Sequence, residues 1–81
     1  MRLIITSSSQ LGEILRGRRK ARRVSQEQLA QKLGVSQSRL SAIEAGTAAL
    51  TLDRLLALAN LLDLQLVVQD KAQKSERKTE W

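Results

Sequence analysis

Two short stretches of this 81-residue chain concentrate its polar chemistry. Ser36, Gln37, Ser38 and Arg39 set hydroxyls, a side-chain amide and a guanidinium side by side, groups that can hydrogen-bond in several directions but cannot by themselves move electrons. Residues 16–23, RGRRKARR, hold six basic residues and no acid, within a chain of net charge +6. Such a run on a small domain suits phosphate backbones or an anionic membrane surface. A solvated helix face is the plain alternative.

Other chemistries are excluded by what is absent. There is no cysteine and no histidine, so disulfides, Cys/His metal sites and nucleophile–histidine catalysis are all ruled out. The eight acids are scattered singly, without a D-x-D pair or an H-E-x-x-H motif. Neither catalysis nor a cofactor is expected. Trp81 is the chain's single aromatic residue, at the end of a charged segment where it has nothing obvious of its own to pack against. A Trp so placed suits a hot spot for a partner protein.

The elements that must position these groups follow from apolar spacing. Hydrophobic residues make up 42% of the chain, too many for a disordered polypeptide, and a Leu-rich, Pro-free composition suits short packed helices. With no aromatic area to bury, the core of one copy is expected to be modest, which favours a second subunit. MRLII is too short for a signal-peptide core and no apolar run approaches a membrane span, so a cytoplasmic protein without membrane contact is expected.

RLIIT (2–6) reads as a short strand or an arm. A first helix follows from Ser7 as N-cap, with Gln10 at the capping-box position and Leu11, Ile14 and Leu15 inward, ending near Arg22. Ser25 and Gln28 form an S-x-x-Q box for the second helix, which Gly34 ends. Ser36 caps the third helix and Gly46 ends it. Thr51 caps the fourth, in which Leu52, Leu55, Leu56, Ala59 and Leu62 form an apolar stripe with Leu58 and Leu61 outside it. LQLVVQ (64–69) alternates as a strand does. Residues 1–70 thus read as one domain and residues 71–81 as a flexible tail. A homodimer is expected through Leu58, Leu61 and the strand residues Leu64, Leu66 and Val68, because a lone exposed strand invites pairing.

The second and third helices, joined across G-V-S, make a helix-turn-helix: Ala30 is small where they cross, and Gly34 can take the left-handed turn conformation. Side chains at the start of the third helix can then enter a major groove. Gln37 can present a bidentate amide to adenine and Ser38 a hydroxyl to either kind of edge, while Arg39 could meet guanine or a phosphate. Arg19 and Arg22, on charge alone, are expected to contribute to affinity for any DNA sequence.

SQEQLAQKLGVSQSRLSAIEAG, with its S-Q-E-x-L-A opening and I-E-x-G close, resembles the Xre and phage-repressor family over about residues 7–62. The resemblance implies a mainly α fold of four to five helices bound to operator DNA as a dimer. It implies base-facing positions at Gln37, Ser38 and Ala42, positions nearer the backbone at Ser36 and Ser41, and a phosphate contact at Gln26. The acid of I-E-x-G, Glu44, is implied to be structural, paired with an arginine or capping backbone groups. Two residues depart from the pattern: Arg18 stands where the family has an apolar residue, and Arg23 where it has a glycine. The leucine-rich fourth helix running into LDLQLVV and a tail ending in E-W is similar to the HipB-type antitoxins, autorepressors of toxin–antitoxin modules. That similarity implies a C-terminal strand pairing across the dimer and a HipA-type kinase toxin as partner, with Trp81 as its contact. A stand-alone phage-type repressor and a basic RNA-binding protein are the alternatives, the latter disfavoured by the lack of aromatic stacking residues.

Overall fold

The computed structural model describes residues 2–71, so Trp81 and residues 72–81 lie outside the described part. Four helices form among these residues: α1 (Ser8–Ala21), α2 (Gln26–Leu33), α3 (Gln37–Ala45) and α4 (Leu52–Leu61). Each begins where a hydroxyl can accept from an orphan backbone N–H. Ser7 accepts from Gln10 N at 3.1 Å, Ser25 from Gln28 N at 3.0 Å, Ser36 from Arg39 N at 3.0 Å and Thr51 from Arg54 N at 3.1 Å. Only at α2 does the capping box close, with Ser25 N donating to Gln28 Oε1 at 2.9 Å. The Gln10 side chain reaches further back instead, accepting from Thr6 N and donating to Ile4 O, both at 2.8 Å. It thereby fixes the arm of residues 2–6 against the start of α1.

Gly34 (φ 82°) and Gly46 (φ 79°) end α2 and α3 in the left-handed conformation. The other two helices end on the same device without glycine, since Arg23 and Asp63 both have φ 59°. For a residue with a Cβ that conformation costs roughly 1–2 kcal/mol. Arg23→Gly should therefore stabilise the fold by about 0.5–1 kcal/mol, the usual gain from relieving left-handed strain after the unfolded-chain entropy of glycine is subtracted. Urea denaturation checks this, and a loss of stability would mean that the Arg23 side chain does something there that its backbone strain hides.

The core is built from Leu15, Leu29, Ala30, Leu40, Ile43, Leu58 and Leu62. α3 packs against α1 and α2, and α2 also packs against α4. The fourth helix is rotated from the sequence expectation. Leu58 is fully buried in the protomer's own core, so it cannot be a dimer contact. Leu52 and Leu56, expected inside, are 66% and 47% exposed. The inward row is Leu55, Leu58, Ala59 and Leu62, an i, i+3, i+4, i+7 set in which Leu55 is half-buried and the other three are buried. Leucines run all round this helix, so the pattern admitted either rotation, and the packing against α2 selected this one. Leu64 is half-buried and packs on the core, whereas Leu61, Leu66 and Val68 are exposed. No strand forms among the described residues: 64–70 are non-helical and join no ladder.

Candidate nucleic-acid interface

Gly34 turns the chain so sharply that its own N–H and that of Val35 both donate to Ala30 O, at 2.9 and 3.0 Å. This turn sets α3 across α2 over Leu29, Ala30, Leu40 and Ile43, all buried. With those residues inward, the first turn of α3 faces solvent, and Gln37, Ser38, Arg39 and Ser41 are all exposed. Ala42 is half-buried behind them. The Ser36 hydroxyl is occupied as the helix cap. Arg39 turns away from this face: its guanidinium donates to Ala49 O at 3.1 Å, and with Arg54 it lines a shallow cleft at the start of α4. Of its two expected roles, a backbone phosphate fits that direction better than a guanine edge.

Beneath the exposed row lies a buried ion pair. Arg19 and Glu44 have side chains only 9% and 3% exposed, and they meet in a two-pronged geometry. Arg19 Nε donates to Glu44 Oε2 at 2.7 Å and its terminal nitrogen to Oε1 at 3.1 Å, while the other terminal nitrogen donates to Val24 O at 3.0 Å. Planar guanidinium and carboxylate groups match best in this paired arrangement. Arg19 is therefore not the phosphate contact its charge suggested. It ties α1 to α3, with Glu44 in the structural role the sequence implied.

The pair extends to the surface. Gln26 Nε2 donates to Glu44 Oε1 at 3.1 Å, and Gln37 Nε2 donates to Gln26 Oε1 at 3.3 Å. A continuous chain of hydrogen bonds thus runs from the buried arginine through the first residue of α2 to the first residue of α3. It holds the Gln37 amide nitrogen against Gln26 at the exposed start of α3. Gln26, expected at a phosphate, also acts here as the link between the buried carboxylate and the exposed amide.

The rest of the basic run divides by position. Arg18 Nε donates to Leu62 O at 2.9 Å and a terminal nitrogen to Asp63 O at 3.3 Å, so its charge sits on the C-terminal carbonyls of α4. Cations are favoured there because unpaired carbonyls give that end a partial negative charge. This explains an arginine where an apolar residue was expected. Arg22 is exposed, 3.6 Å from the Asp63 carboxylate, and Arg16, Lys20 and Arg23 are exposed as well. No helix among the described residues is long and apolar enough to cross a membrane.

Residues 7–68 match the helix-turn-helix family (HTH_3). The restriction-modification controller protein C.AhdI from Aeromonas hydrophila is similar in structure, at 35% identity and a TM-score of 0.66, over 70% of this chain and 83% of that one. A HipA-HipB-O2-O3 complex contains a chain of similar structure at 25% identity and a TM-score of 0.75, covering 88% of this chain and all of that one. A HipB-O4 20mer complex gives the same values. No curated protein matches in sequence. The match over most of the chain, on a fold whose turn, caps and exposed polar row are all in place, makes this chain a member of the helix-turn-helix family and a DNA-binding transcription regulator.

Proposed function

We propose that the chain is a dimeric, operator-specific autorepressor and the antitoxin of a HipA-type kinase. The observation that carries the DNA half is the Arg19–Glu44–Gln26–Gln37 chain, which holds an amide in place at an exposed helix start. In a major groove Gln37 would read adenine, with Ser38 beside it, and the exposed cations of α1 would add affinity for any sequence. Gln37→Ala should cost about 1–3 kcal/mol on the operator and little on random DNA. Binding isotherms on both duplexes test this. Equal losses on the two would mean that α3 does not read sequence.

The toxin half is supported by the likeness to HipB, which extends over 88% of this chain and so beyond α4. Trp81, the single aromatic residue, supplies an anchor of the type most often found at interface hot spots. Removing Trp81 should leave operator affinity intact while lowering affinity for the kinase by about 1 kcal/mol or more. Titration of each partner separately reads the two effects. A stand-alone repressor without a toxin is the second reading, favoured by the higher identity to a controller protein. Failure to co-purify with any kinase encoded beside it would select that reading.

A further inference from the structure

The large apolar side chains left exposed avoid α2 and α3 altogether. They include Leu3, Ile4 and Ile5 on the arm before α1, and Leu66, Val67 and Val68 after α4. These two segments form the rims of one groove of about 860 Å³, whose floor is Leu11 and Ile14 of α1 with Leu55 and Ala59 of α4. The arm is held in place by Gln10, through Thr6 N and Ile4 O. At the groove's end Arg2 donates to Gln69 Oε1 at 2.8 Å, so a long side chain spans a separation that no backbone hydrogen bond closes. Both rims are rich in β-branched residues, and among the described residues neither joins a ladder.

We propose that the groove receives residues 64–69 of a second copy of this chain, so that each N-terminal arm pairs with the partner's C-terminal segment. The inference rests on the homodimer proposed above and specifies how that dimer is built. Insertion in both directions is self-consistent under a twofold axis. It gives the order arm, partner's segment, own segment, partner's arm, and every inner edge is paired. A second copy fits better than an unrelated partner because it brings the same two unpaired segments and satisfies both sets at once. It would also cover Leu52 and Leu56, which continue the helical row of Ala59 beyond the groove floor. The α2–α3 face stays free for DNA.

The test uses the full chain. In a sample mixed from isotope-labelled and unlabelled copies, filtered NOE spectra should connect methyl groups of Ile4 or Ile5 with those of the partner's Val67 or Val68. Deleting residues 2–5 should raise the dimer Kd by about tenfold or more in sedimentation equilibrium, with the helical circular dichroism unchanged. A dimer showing only intramolecular contacts between arm and C-terminal segment would overturn the exchange. So would an unchanged Kd after the deletion, and in both cases the homodimer itself stands. A full-length chain that sediments as a monomer at micromolar concentration would overturn the homodimer as well.

Discussion

Glu44→Ala should destabilise the fold by roughly 3–5 kcal/mol, because it strands the Arg19 guanidinium in the interior without its counter-charge. For a domain of this size that corresponds to a fall in Tm of about 12 °C or more. The desolvation cost of Arg19 is not recovered by water, since its side chain is only 9% exposed and its remaining acceptor is Val24 O. Much of the loss should return when Arg19 is changed at the same time to an apolar residue such as methionine, because the penalty lies in the orphaned charge more than in the missing attraction. Thermal and urea denaturation of the two single variants and the double variant form the cycle that decides. A loss below about 1 kcal/mol in Glu44→Ala would mean that the pair is far better hydrated than its burial indicates.

The second large effect concerns Gly12. A Cβ there would collide with Glu44 O and come within 2.8 Å of Ile43 O, both backbone atoms of α3. Backbone cannot rotate aside, so α1 and α3 would have to separate along their whole contact. Gly12→Ala should therefore cost about 3 kcal/mol or more, at the upper end of overpacking penalties. Gly17, also in α1, has nothing within 4 Å of its missing Cβ. Gly17→Ala should instead stabilise by about 0.5–1 kcal/mol, through helix propensity. The same chemical change thus carries opposite signs about one and a half turns apart on one helix. Two equal and small effects in urea titrations would rule out the tight crossing.

Much of the fold was legible because its signals are local. All four N-caps and the glycines at 34 and 46 depend on residues a few positions apart, and they stand where the pattern put them. What was not legible depends on which face meets which neighbour. In α4 leucine offers no polar side to mark the outside, so Leu58 and Leu56 exchanged places. In α1 the charges concealed a row: Gly12, Leu15 and Arg19 are buried together at i, i+3 and i+7. Counting that spacing rather than the charge would have marked Arg19 as interior and identified it as the partner of Glu44. The exposed row at Gln37 and Ser38 was readable from the turn, but the link through Gln26 needed coordinates.

Arg18 and Arg19 carry one more implication, for ions in solution. When DNA docks, each phosphate neutralised by a protein cation expels part of its condensed counterion, and the logarithmic fall of affinity with salt counts those expulsions. A guanidinium already spent on a helix end or a buried carboxylate expels nothing. Of the six cations in residues 16–23, only Arg16, Lys20, Arg22 and Arg23 remain to be counted, and Arg22 shares its charge with Asp63. The chain should therefore hold DNA with a weaker dependence on ionic strength than its formal charge suggests, and keep more of its grip as salt rises.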